Sequence, residues 1–214
     1  MILKQDDIQK LNKIQRINLM NSVTGIKSVN LIGTKSDDNI TNLAIFSSVV
    51  HISSNPPLFG FFSRTNTSVR RDTYKNILSQ KRFTLNNVNV SKIRNAHLTS
   101  IKFEKDISEF KTCNFSEENK RIFPVPFVLE SEIKLGLVLK EVVNIKSSAS
   151  KLIIGEVNCI FINDDFLESD FSLNLENSNS ASICGLNHYY SNKKLISLPY
   201  ARHENLNEIL NIKW

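Results

Sequence analysis

Six apolar segments of strand character follow one another along 214 residues, and no helix of crossover length separates most of them. They read SVNLIGT (28–34), NLAIFSSVVHI (42–52), LFGFF (58–62), RFTLNNVNV (82–90), EIKLGLVLKEVVNI (132–145) and KLIIGEVNCIFI (151–162). Parallel neighbours need a connection of a dozen or more residues, whereas antiparallel neighbours need only a tight turn. The spacing therefore excludes a doubly wound parallel sheet and predicts a mainly β chain, a six-stranded antiparallel barrel with short flanking helices. The pair Pro56-Pro57 supports a break between the second and third strands, because proline cannot donate to a sheet ladder.

Two helices flank the strands in this reading. Ile8, Leu11 and Ile14 recur at helical spacing over residues 6–20, and the stretch YKNIL after Asp72 places Tyr74, Ile77 and Leu78 on one face with Asp72 as the expected N-cap. Apolar residues at 41% and charged residues at 22% are ordinary for a folded chain of this length, which is expected to form one domain over 1–214.

Several classes of chemistry are absent from the pattern. There is no G-x-S-x-G, H-E-x-x-H, Walker loop or G-x-G-x-x-G, and the chain has six glycines in all. Cys113, Cys159 and Cys184 are widely spaced with no Cys-x-x-Cys pair, so inert thiols and no metal site are expected. The N-terminal stretch is charged throughout and no apolar run approaches about 18 residues, so a cytoplasmic protein without membrane contact is expected.

Two features point to a ligand. The strand at 42–52 carries Asn42, Ser47 and Ser48 among apolar neighbours, and a buried polar atom left unpaired costs roughly 1 to 3 kcal/mol. Such a strand either exposes that face or holds something polar. Charge is the second feature. The net charge is +6, yet between Arg64 and Lys105 ten basic residues face two acidic ones, which makes that segment +8 by itself. Such a cluster is either a solvated face or the mark of an anionic partner, and nucleic acid, a membrane surface or a small-molecule phosphate would each be such a partner. Arg71, Asp72 and Thr73 narrow the choice. Arginine at a helix start is mildly unfavourable unless an anion completes the site, and a guanidinium beside a threonine hydroxyl and free N–H groups suits a phosphate. The preceding loop SRTNTSV adds Arg64 and several hydroxyls.

Taken in order, these residues resemble the flavin reductase-like, FMN-binding split-barrel family that includes flavoredoxin. The matching segments are Asn42-Leu43-Ala44-Ile45-Phe46-Ser47-Ser48, Asn55-Pro56-Pro57-Leu58, Arg71-Asp72-Thr73 with Asn76-Ile77, Ala96-His97-Leu98-Thr99-Ser100 followed by Ser108-Glu109-Phe110, and Ile154-Gly155-Glu156-Val157. The chain departs from flavoredoxin-like members at Ile45, where proline is frequent, and at Arg71, where lysine is commoner.

The resemblance implies a six-stranded Greek-key split barrel that holds FMN across a homodimer interface. Carried over residue by residue, Asn42, Leu43, Ala44, Ile45, Phe46, Ser47 and Ser48 would face the isoalloxazine, and Arg64, Arg71, Asp72 and Thr73 the phosphate. His97 and Ser100 would border the substrate pocket. The implied activity is hydride transfer from NAD(P)H, a transient donor, to bound flavin and on to free flavin or another acceptor. It needs no titrating catalytic side chain, because the cofactor carries the chemistry. Without a Rossmann glycine loop the nicotinamide must stack in the open pocket. His51 is expected to sit on a strand with its ring nitrogens bonded, and His188, Tyr189, Tyr190 and Tyr200 to serve packing. A flavin-binding or electron-transfer module without nicotinamide turnover is the second reading. A nucleic-acid barrel is the third, disfavoured because the basic segment lacks the aromatic platforms of single-strand binders.

Overall fold

A computed structural model of the chain describes residues 1–64 and 71–212. Among these residues twelve strands run in chain order: β1 Lys27–Ser28, β2 Asn30–Lys35, β3 Thr41–Phe46, β4 Val50–Ser54, β5 Pro57–Arg64, β6 Arg82–Asn87, β7 Glu117–Lys120, β8 Phe123–Val128, β9 Lys134–Ile145, β10 Ser150–Phe161, β11 Ala181–Cys184 and β12 His188–Ser191. Six α-helices accompany them: α1 Gln5–Lys10, α2 Lys13–Ser22, α3 Asp72–Gln80, α4 Ile93–Leu98, α5 Glu109–Thr112 and α6 Leu206–Asn211.

The main sheet is antiparallel throughout, with order β3-β2-β6-β9-β10-β5-β4. Its two edges are consecutive strands. In a flat sheet six gaps of about 4.8 Å would put β3 and β4 about 29 Å apart, whereas the four Cα steps from Phe46 to Val50 span at most about 15 Å. The sheet must therefore curl until its edges meet, which makes it a split barrel. Ser48 closes the seam. Its hydroxyl accepts from the Phe62 amide at 3.1 Å and donates to the Phe62 carbonyl at 3.3 Å, continuing with a side chain the register that pairs Val50 with Gly60.

This closure corrects the six-strand expectation. The segment 42–52 is not one strand but two, broken at residues 47–49, so the sheet has seven strands. Two apolar runs flank Ser47-Ser48 with no Gly or Pro between them, and only the passage from one edge to the other reveals the break. Pro57 opens β5, where a missing N–H is tolerated, and Asn55-Pro56 is a cis peptide.

Two cores lie on either side of β2 and β3. Ile32, Phe61, Ile77, Phe83, Leu137 and Ile153 fill the barrel. Val29, Leu31, Leu43, Ala96, Phe110 and Ile183 form a second core beneath the small sheet β1-β11-β12 and the helices α4 and α5. The β7-β8 hairpin packs Phe123, Val125 and Phe127 against Cys159 and Phe161. Gly155 marks a close approach inside the barrel: a Cβ there would stand 2.6 Å from the Phe83 ring.

The helices differ from expectation in detail. Residues 6–20 form two helices, because Asn12 leaves helical geometry and caps α2 by accepting from the Gln15 amide at 3.0 Å. Ile14 is exposed. In α3 the N-cap is Arg71, with Asp72 the first helical residue, and the buried face is Thr73, Asn76 and Ile77 while Leu78 is exposed. Asn76 fastens this helix to the barrel by donating to the Thr34 hydroxyl on β2 at 3.1 Å.

Candidate functional site

Beside the barrel seam lies a cavity of about 460 Å³, within the range of about 300 to 1,000 Å³ usual for small-molecule sites. Asn42, Ala44, Ile45, Phe46, Ser47 and Ser48 line it from β3 and the seam, and Arg64, Arg71, Asp72 and Thr73 from the end of β5 and the start of α3. These are the residues singled out in the sequence, with one exception. Leu43 is fully buried in the second core; Ile45, on the same face of β3, also packs against that core but is only partly buried and still reaches the cavity. Residues 65–70, which include the hydroxyls of the loop after Arg64, lie outside the described residues.

Alternation accounts for the backbone of β3. The Leu43 amide donates to the Glu109 carboxylate at 3.0 Å rather than to β2, so Leu43 points its peptide groups to the open edge, and by the period of two Ile45 does the same. The Ile45 N–H and C=O thus face the cavity side of an edge strand. Of the polar side chains, Asn42 donates to the Thr73 hydroxyl at 3.1 Å and Ser48 is engaged at the seam. Ser47 has no hydrogen-bond partner among the described residues. The apolar surface comes from Phe46, whose ring packs edge-on against Phe61 at 4.8 Å, and from Phe62.

Charge at the cavity is uneven. The side chains of Arg64, Arg71 and Lys102 all line it, and none has a hydrogen-bond or ion-pair partner among the described residues. Some cations elsewhere in the chain are paired, Lys92 with Glu130, Lys120 and Lys134 with Glu118, Lys140 with Glu156, and Lys194 with Glu168, while others such as Lys105 have no ion pair among the described residues either. The buried acid Glu109 is committed to the Leu43 amide. Behind it, burial and the Glu109 charge push the Cys113 thiol up to about 11.

The opposite wall was legible only in part. Ser100 lines the cavity, but so do Thr99, Ile101, Lys102 and Phe103, with Glu109, Asn21, Ser150 and Leu186 from more distant segments. Lys102 belongs to the basic segment, whose charge pattern does not distinguish it from its neighbours. His97 does not reach the cavity. Its Nδ1 meets the Tyr189 hydroxyl at 2.8 Å, tying α4 to β12 beside the wall. His188, Tyr190 and Tyr200 are exposed and outside the lining, and His51, on β4, bonds Ser54 at 3.2 Å. Among the described residues no cluster of His, Cys, Asp or Glu could hold a metal, and no helix is long and apolar enough to cross a membrane.

Residues 26–182 match the flavin reductase like domain, and the chain belongs to that family. A solved protein from Shewanella frigidimarina NCIMB 400, assigned as a flavin reductase with a split barrel domain, is 36% identical, with a TM-score of 0.89 over 94% of this chain and all of that one. Nitrilotriacetate monooxygenase component B from Bacillus cereus shares the fold at 18% identity, with a TM-score of 0.81 over 92% of this chain and 98% of that one. Flavoredoxin of Desulfovibrio vulgaris (Miyazaki F) does so at 17% identity, with a TM-score of 0.69 over 82% and 92% of the two chains.

Proposed function

We propose that the chain is an FMN-dependent oxidoreductase of flavin-reductase type, taking a hydride from NADH or NADPH and delivering it to free flavin or another acceptor. The observation that carries this reading is the meeting of two complementary half-sites in one cavity. The open edge of β3 offers peptide groups at Ile45 and the Ser47 hydroxyl, which suit the alternating donors and acceptors of an isoalloxazine edge. Arg64, Arg71 and the Thr73 hydroxyl at the start of α3 suit a phosphate.

When bound, FMN would supply the hydride chemistry itself. The protein's share is binding and orientation. Arg71 and Arg64 neutralise the phosphate, the β3 edge fixes the ring's polar side, and Phe46 and Phe62 shield apolar surface from water. No side chain of the cavity is required to move a proton in the hydride step, so none is assigned as catalytic.

The reading includes a homodimer of a cytoplasmic enzyme. Phe62, Ile101 and Leu186 at the cavity are 41%, 50% and 44% exposed in the single chain, apolar area that a second copy would cover. Light scattering should report a dimer. A monomer that held FMN tightly would count against a shared site.

The test of function is anaerobic. FMN-loaded protein mixed with NADH or NADPH should lose its absorbance near about 450 nm, where oxidised flavin absorbs, with no metal added. The rate should keep rising toward millimolar donor, the upper end of the usual KM range of about 1 μM to 1 mM. Protein that holds FMN but is bleached by neither donor would instead be a flavin-binding module or take electrons from another source.

A further inference from the structure

We propose that Lys102 recognises the phosphate groups of the reducing dinucleotide and so sets which donors the enzyme accepts; this rests on the flavin-reductase reading above. A nicotinamide dinucleotide brings two or three phosphates to a protein whose sequence has no G-x-G-x-x-G turn to receive them. Side-chain cations must take that role. Among the described residues three line the cavity, Arg64, Arg71 and Lys102, and none of them forms an ion pair with another described residue, although Asp72 and Glu109 share the lining.

The cations come from different elements. Arg71 caps the helix whose Ile77 and Tyr74 pack into the barrel core, and Thr73, two residues on, is hydrogen-bonded to Asn42. That corner is sufficient for the single phosphate of FMN, with Arg64 at the end of β5. Lys102 arrives from the segment after α4. Its neighbour Phe103 packs into the second core with Ala96 and Phe110, which anchors the segment independently of α3. Thr99 and Ser100 tie the same turn down by donating to the carbonyls of Ala96 and His97 at 2.8 and 2.7 Å. Lys102 is therefore an exposed lysine of the cavity lining, carried by an anchored turn on a different element from Arg71 and so available to a donor that enters from solvent. An exposed ammonium suits a transient donor, because its attraction is strong enough to steer and too screened to trap.

Donors with and without phosphates provide the test. The kcat/KM ratio of NADPH or NADH to the phosphate-free 1-benzyl-1,4-dihydronicotinamide should fall about tenfold in Lys102→Ala, the worth of one charge-assisted hydrogen bond. It should fall further in Lys102→Glu. Lys105→Ala, a basic residue outside the cavity, should leave the ratio unchanged. Equilibrium binding to FMN-loaded protein supplies a readout free of turnover: ADP and 2′,5′-ADP should bind the Ala variant more weakly while adenosine does not. Loss for 2′,5′-ADP alone identifies the 2′-phosphate, and equal loss for both identifies the 5′-phosphate that the two share, the adenosine-side phosphate of the dinucleotide. An unchanged ratio overturns the proposal. So does a loss of affinity for FMN but not riboflavin in Lys102→Ala, which would put Lys102 in the cofactor's phosphate site. Wild-type protein that binds FMN yet is bleached by no nicotinamide would reject the flavin-reductase reading itself, a distinct failure.

Discussion

The side-chain amide of Asn42 donates to the hydroxyl of Thr73 over 3.1 Å, and both residues are buried. This bond joins the edge strand β3 to the first turn of α3, so the two halves of the candidate site are held in register by a contact between residues 31 positions apart in sequence. It also explains why a polar side chain is tolerated in β3: Asn42 has a protein partner and does not need a ligand to satisfy it.

Asn42→Ala should lower stability by about 1 to 2 kcal/mol, the cost of stranding a buried hydroxyl. A double-mutant cycle with Thr73→Val should return a coupling energy of about 0.5 to 1.5 kcal/mol, because the two residues share one bond. Urea unfolding of the four proteins measures it. Strictly additive effects would mean that the contact contributes nothing to stability.

Arg71→Ala should weaken FMN binding by about 1.5 to 3 kcal/mol and riboflavin binding far less, since riboflavin lacks the phosphate. Fluorescence titration of both ligands decides it. Equal losses would move the phosphate to another part of the cavity.

Gly155→Ala should destabilise the barrel by about 1 to 3 kcal/mol, because its methyl group would enter the space of a fully buried ring. Thermal unfolding of Gly155→Ala alone and combined with Phe83→Leu tests the cause. The smaller side chain should recover part of the loss, and a failure to recover any would place the strain in the backbone.

Cys113 provides a pH prediction. Its thiol is held up to about 11 in the folded chain, above the ordinary value of 9.0, by burial and by the Glu109 charge. The folded state therefore keeps a proton that the unfolded state gives up. The stabilisation is whole below pH 9 and is lost as pH rises from 9 toward 11. Denaturant midpoints measured across that interval should fall less steeply for Cys113→Ala than for the native chain. The native thiol should also resist alkylation at pH 8 while the chain is folded.

Local chemistry made much of this protein legible in one dimension. Residues 132–145 and 151–162 alternate and branch as paired strands do, and β9 and β10 form a hairpin within a residue or two of those limits. The segment Arg71-Asp72-Thr73 announces a charged helix start by residue type alone. The strands of the small sheet were not visible, because two to four residues are too few to show a period.

The sequence by itself determined the antiparallel class, the polar strand and the basic segment, since each depends on neighbours within a few positions. Tertiary structure decided the rest. Whether residues 42–52 form one strand or two depended on the closure of the sheet, which carries the chain from one edge to the other through Ser48. Pairing of β10 with β5 sets Ser150 opposite Arg64 at the cavity, and the second core, through Phe103, anchors the segment that brings Lys102 to it. No local pattern encodes those meetings: they follow from how two separate cores pack against β2 and β3, and burial depends on the whole surface removed from water rather than on any one segment.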